Sequence, residues 1–209
     1  MPTIFPGAQS AIPASRSRGA YAKSAARKAQ IVEVATTVFT ANGYTGGSFR
    51  EIADQIGVSL TSLVHHFPHK IELLEAVLTR ANEIYGITFD EICREHGLRA
   101  AVLDLAKGNL GHPELLRLLA VLSAECSRPH HPGHPWFAER YANIRSDHVR
   151  WIIQDQGLGR IPKNHDPIVL ADLIIAIWDG LQLQWLIDPH QDMLGKMASF
   201  FDSIGMLGP

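Results

Sequence analysis

Between Ser48 and Pro68 the chain starts and stops a helix twice, a pattern that few folds accommodate. Ser48-Phe49-Arg50-Glu51 has the form of a capping box, in which the serine hydroxyl and the glutamate carboxylate each satisfy an end amide of a new helix. Phe49, Ile52, Ala53 and Ile56 give that short helix one apolar face. Gly57 ends it, Ser59 caps the next helix, and Pro68 stops that one, whose expected inner face is Leu60, Leu63 and Val64. The spacing meets the mechanical needs of a helix-turn-helix. Ala53 is small where the helices cross, Gly57 supplies positive φ, Val58 plugs the turn, and Leu63 packs back on the first helix. Two readings follow: an αα-hairpin that only packs on itself, or a DNA-binding unit whose second helix enters the major groove.

The rest of the chain is punctuated in the same way. Ile31, Val34, Ala35, Val38 and Phe39 mark one face of a preceding helix, with a stop at Asn42-Gly43. A fourth helix is expected from Lys70, with Ile71, Leu74, Val77, Leu78, Ala81, Ile84 and Tyr85 on its stripe. The proline-free run from His69 to His112 allows one long and one shorter helix, broken near Gly97. Prolines 113, 135, 167 and 189 then separate helices expected near 113–128, 135–156, 167–187 and 191–204. Strand signals are poor, so the predicted fold is all-α. It comprises a flexible basic arm over 1–20, a three-helix helix-turn-helix DNA-binding domain over 21–70, and a helical regulatory and dimerisation domain over 71–209.

A net charge of −2, taken as an average, argues against a polyanionic partner. Divided at residue 70, it becomes seven basic against three acidic side chains, a formal +4, leaving −6 on the remainder. The basic part carries the helix-turn-helix. The expected DNA contacts are the caps Ser48 and Ser59, the second helix's Thr61, Ser62 and His65, then His66 and Lys70 for phosphates, with Arg27 from the helix before. Cys93 and Cys126 make no disulfide framework and suit a reducing cytoplasm. Asp172, Asp179 and two glutamines interrupt the most apolar stretch, 168–187, which argues against a membrane span. No signal-peptide pattern is read at the N-terminus.

From Arg27 to Val77 the sequence, including VFTANGYTGGSFREIADQIGVSLTSLVHHFPHKIELLEAVL, resembles the N-terminal domain of the TetR family of transcriptional regulators. Gly57, Val58, Ser59, Leu63, His66, Phe67 and Lys70 carry its characteristic pattern. Two positions depart from it: Thr61 stands where the family usually has glycine, and Val64 where it usually has tyrosine, which removes a phosphate-contacting phenol. The stretch ADLIIAIWDGLQLQWLIDP is similar to the family's dimer-helix region.

The resemblance implies a homodimeric repressor that reads a palindromic operator in double-stranded DNA. A small-molecule effector, held in the C-terminal domain, would release it. Tyr141, His148, Trp151, Trp178, Gln182 and Trp185, which join aromatic surface to polar tips, are the expected pocket residues; plain core packing is the competing account of each. Glu125, Cys126, His130, His131 and His134 match no closed zinc spacing, so neither metal nor cofactor is expected. No phosphate loop, nucleophile elbow or H-E-x-x-H points to an enzyme. The alternative function is a small-molecule-binding or metal-dependent helical protein that does not bind DNA.

Overall fold

The computed structural model describes residues 16–83, 86–206 and 208. Among them there are helices and no strand: α1 (Arg16–Gly46), α2 (Phe49–Ile56), α3 (Leu60–His66), α4 (Lys70–Glu83), α5 (Gly86–His96), α6 (Leu98–Leu110), α7 (Pro113–Glu125), α8 (His134–Gly157), α9 (Pro167–Ile187) and α10 (Met193–Ser203). The all-α expectation holds, and the proline-marked boundaries fall close to where the sequence puts them.

At the N-terminus an arm is expected over 1–20. Its residues 1–15 lie outside the described residues, while 16–20 are already helical in α1. No proline follows Pro13 before this helix, and the alanine-rich run after Gly19 propagates it back past that glycine's cost of about 1 kcal/mol. α1 bends near its other end, where Gly43 adopts φ 68° and ψ 178°. The positive φ is as the sequence predicts, although the ψ is extended and not that of a left-handed turn.

Two hydrophobic cores form. The first joins α1 to α4 through Ile31, Phe39, Ile52, Leu63, Leu74 and Leu78, and draws in α7 through Leu118 and Leu122. The core of the helix-turn-helix therefore reaches well beyond residue 70. The second core gathers α5, α6, α8, α9 and α10 around Leu98, Trp151, Ile152, Ile174, Met197 and Phe201. At the α5–α6 junction Gly97 takes φ 87°, and the buried Asp155 carboxylate receives the Leu98 amide at 2.8 Å and Arg160 at 3.2 Å. A helix N-terminus and a cation thus satisfy a carboxylate that would be costly to bury alone.

α9 is long and apolar enough to cross a membrane by length and composition, yet only 22% of its most apolar window is buried. Leu170, Ala171 and Ile174 face the second core. Val169, Leu173, Ala176, Gly180, Leu183 and Ile187 recur at helical spacing on the opposite flank, where the large ones are about half exposed or more. Asp172 pairs with Arg145 of α8 and Asp179 accepts from Tyr141, so its acidic residues are tied to protein.

Candidate functional site

The helix-turn-helix is built by local chemistry. Ser48 accepts the Glu51 amide at 3.1 Å and Ser59 accepts the Ser62 amide at 3.1 Å, so both caps form. The box is one-sided, because the Glu51 carboxylate instead accepts from the Asn42 side-chain amide at 3.1 and 3.2 Å. Gly57 is left-handed at φ 74° and ψ 37°, and Val58 donates back to the Ala53 carbonyl at 3.0 Å. Ala53 and Leu63 are buried at the crossing.

The inner face of α3 is narrower than the sequence reading has it. Leu63 is buried, but Leu60 and Val64 are 41% and 38% exposed. A seven-residue helix needs only one anchored ridge; Leu63 and the following Phe67 supply it. Leu60, Thr61, Val64 and His65 consequently make the outward face, and Leu60 and Val64 belong there and not inside. On a helical wheel Val64 lies about 100° from Leu63 but Leu60 only about 60° from it, so spacing alone does not turn Leu60 outward. Apolar tips beside a hydroxyl and an imidazole suit a groove edge that displays thymine methyls as well as polar atoms.

Ser62 and His66, on the next flank, share a concave surface with Lys23, Ser24, Arg27 and Gln30 of α1. Arg27 donates to Gln30 at 2.7 Å. Desolvation lowers the His66 pKa, and the charges of His65, Lys28 and Arg27 lower it further, so this side of the motif is electropositive. Lys23, which the motif does not single out, belongs to this surface. Lys70, expected at a phosphate, also has partners within the protein. It is half-buried, 4.6 Å over the Tyr44 ring, and donates to the Thr45 carbonyl at 3.4 Å. An ammonium has three donors, so others remain for an anion. A polyanion at this surface would oppose the lowering of the His66 pKa, so binding should take up a proton there. Titrations at fixed ionic strength should show DNA affinity rising from pH 8 to pH 6, and His66→Gln should flatten that rise.

The second candidate is a cavity of about 570 Å³ among α5, α6, α7, α8 and α9, reached by Thr79 of α4. Of the expected pocket residues, Tyr141, His148, Trp178 and Gln182 line it. Trp151 and Trp185 do not. Trp151 is buried in the second core with its indole N–H on Asp90 at 3.2 Å, and Trp185 lies further along α9, past the lining. Helical spacing selects a face but not the neighbour which that face meets. Phe89, Asn109, Trp136 and Arg140 line the cavity as well. Phe89 and Asn109 stand on α5 and α6 with nothing local to mark them, whereas Trp136 and Arg140 lie four residues apart on α8, the helix that also carries Tyr141 and His148. Burial and the neighbouring Asp179 push the Tyr141 phenol up to about 12. Burial raises the Asp179 pKa in turn, against the Tyr141 hydrogen bond and the Arg140 charge. Burial holds the His148 pKa low.

A physical link joins the two sites. α7 lines the cavity with Leu116 and Leu119 and packs along α1. Its last residue, Glu125, accepts from the backbone amides of Tyr44 at 2.7 Å and Thr45 at 2.8 Å, and from the Thr45 hydroxyl. Nearby, the loop imidazoles bond to the loop itself: His134 Nδ1 lies 2.9 Å from the Cys126 carbonyl and His131 Nδ1 accepts the Gly133 amide at 3.1 Å.

Residues 31–77, from the middle of α1 into α4, match the sequence profile described as bacterial regulatory proteins, tetR family. The HTH-type transcriptional regulator TtgR of Pseudomonas putida is 23% identical over 194 residues, covering 84% of this chain and 88% of that one. The fold is similar to a crystal structure of a TetR-family regulator from Rhodococcus sp., with TM-score 0.70 and 24% identity over 87% of this chain and 98% of that one. It is also similar to a transcriptional regulator from Saccharomonospora viridis in complex with choline, with TM-score 0.71 and 20% identity over 85% and 96%.

Proposed function

Because the chain belongs to the TetR family of bacterial transcriptional regulators and is a DNA-binding regulator, we propose that it works as a homodimeric repressor, released from a palindromic operator by an effector held in the α5–α9 cavity. The observation that carries the DNA-reading half is the outward face of α3, with Leu60, Thr61, Val64 and His65 flanked by the basic surface of Lys23, Arg27 and His66. Outward residues read base edges and the basic flank holds phosphates. Two copies of a seven-residue helix, about 34–36 Å apart, read successive turns of one DNA face, which one copy cannot do. The exposed stripe of α9 is the surface that a second copy covers. This role places the protein in the cytoplasm, with the DNA.

Effector release needs a cavity whose occupation favours one setting of the reading heads. α7 and α4 each touch the cavity at one end and the helix-turn-helix at the other, through Leu116 and Glu125 and through Thr79 and Lys70. A coupling of about 1–3 kcal/mol between the sites is ordinary for such proteins.

Selection of binding sites from random DNA at low salt tests this reading. An enriched palindrome is expected, with log K falling by about 0.9 for each phosphate neutralised as log salt rises. Arg27→Ala should weaken all sequences alike, whereas Thr61→Val or Val64→Asn should change the preferred bases by about 1–3 kcal/mol at one position per half-site. No enriched motif, or equal losses on every sequence from all three variants, contradicts the assignment.

A further inference from the structure

The cavity's own hydrogen bonds limit what can occupy it. Three donors of its walls and rim are committed to protein acceptors. The Tyr141 hydroxyl donates to Asp179 at 2.8 Å, and the Trp151 indole to the lining residue Asp90 at 3.2 Å. His148 Nδ1 lies 2.9 Å from the Ile144 carbonyl, which can only accept, so in the neutral ring Nε2 keeps a lone pair. Burial favours that neutral ring. Against these stands one orphan. Asn109, on the α6 face that also presents Val102 and Leu105, is 5% exposed, and its Oδ1 is one of two buried side-chain polar atoms without a hydrogen-bond partner among the described residues. A buried acceptor left unmade costs about 1–3 kcal/mol. Asn109 is one of the residues that line the cavity, so a donor seated against it there can relieve that cost.

The charges point the same way. Asp90, Asp147 and Asp179 line the cavity with a single guanidinium among the described residues, that of Arg140, which faces Asp179 electrostatically. Arg150 pairs with Asp147 at 3.0 Å and approaches Asp90 at 3.6 Å at the exposed rim. An entering carboxylate or phosphate would meet carboxylates already in place. Phe89, Trp136, Trp178 and the isoleucines of α9 supply the apolar remainder, in a volume of about 570 Å³.

We propose that the effector is an apolar, aromatic-sized molecule without negative charge, which donates a hydrogen bond from a hydroxyl or ammonium group to Asn109 Oδ1. This rests on the reading of the cavity as the effector site. It makes Asn109 the residue that sets effector class, since Leu at this position offers a similar volume and no acceptor.

Four para-substituted biphenyls test it: the methanol, the methylammonium, the methyl ether of the methanol, and the carboxylate. Calorimetry with the full chain reads binding, and fluorescence anisotropy of its selected operator reads release. The methanol and the methylammonium should bind at least ~10-fold tighter than the ether and the carboxylate, the equivalent of one unsatisfied group. Asn109→Leu should abolish the difference between alcohol and ether while leaving both bound. Asn109→Asp should favour the methylammonium further. A carboxylate or ether that binds as well as the alcohol, a preference that survives in Asn109→Leu, or no binding by any of the four overturns the proposal. Donor-selective binding without operator release upholds the chemistry of the cavity and overturns its role as the effector site. Release by all four alike does the reverse.

Discussion

The double variant Leu173→Glu, Leu183→Glu should sediment at 23.0 kDa where the parent sediments at twice that mass, and it should lose operator affinity by about 100-fold or more. Both leucines stand about half exposed on the outer stripe of α9 and contribute to neither core. Glutamate at those positions is solvated in the monomer, so helical circular dichroism and melting behaviour should stay within about 0.5 kcal/mol of the unliganded monomer's stability. In a dimer the same carboxylates would be desolvated, and near a two-fold axis each would approach its own copy. Affinity falls because linkage is lost. With one reading head bound, the other is delivered to its half-site at an effective concentration set by the dimer, and a monomer has no such advantage. Gly180 sits mid-stripe, and a Cβ built there meets nothing within 4 Å in the monomer. Gly180→Leu should therefore fold and yet weaken the dimer, where small residues let two helices approach. A parent that sediments as a monomer, or a double variant that dimerises and binds as the parent does, would sink this assignment.

How much of this is legible in the sequence depends on how far apart the partners lie. The caps at Ser48 and Ser59, the left-handed Gly57 and the buried Ala53 and Leu63 are set by residues within one or two turns, and the reading of them survives contact with the structure. Periodicity places Leu60 and Val64 inside, because apolar spacing cannot say which ridge of a seven-residue helix is needed for the crossing. The cavity is half legible. Tyr141 and His148 are seven residues apart on α8, and Trp178 and Gln182 four apart on α9, so one face of each helix is visible. Asn109 is not, since nothing in its neighbourhood shows that α6 turns that residue toward α8 and α9. The inclusion of α7 in the first core is equally hidden: it depends on tertiary packing against α1, far away in sequence.

Glu125 shows that limit most sharply, and its removal should have the second large effect. Its partners lie 80 and 81 residues earlier. Glu125→Ala removes a carboxylate that receives two backbone amides and a hydroxyl, and leaves the Tyr44 and Thr45 amides without that acceptor. Hydrogen bonds to charged groups are worth about 1.5–3 kcal/mol each when protected, but Thr45 is exposed and water can replace part of the loss. A net cost of about 2–3 kcal/mol is expected, which in a chain of this size lowers the melting temperature by about 5–10 °C. The pH dependence identifies the group. Burial alone would raise the Glu125 pKa, but the hydrogen bonds from Thr45 and Tyr44, with the charge of His131, bring it below the usual carboxylate value. A depressed carboxyl contributes stability above its unfolded pKa and loses it as pH falls through the folded value. The difference between parent and Glu125→Ala should therefore be constant at neutral pH and shrink once the pH drops below the ordinary glutamate range. Function should change separately from stability. The cavity keeps its lining, so calorimetry should find effector affinity near that of the parent. The α7 connection to the 43–47 turn is cut, so effector should release operator about 10-fold less effectively, a large part of a typical coupling energy. Gly43→Ala attacks the same contact from the other side, because its Cβ would lie 2.8 Å from Glu125 Oε2 at a positive φ. It should lose coupling in the same direction. If Glu125→Ala melts with the parent and releases operator as well, α7 is not the link, and α4 alone carries the signal from Thr79 to Lys70.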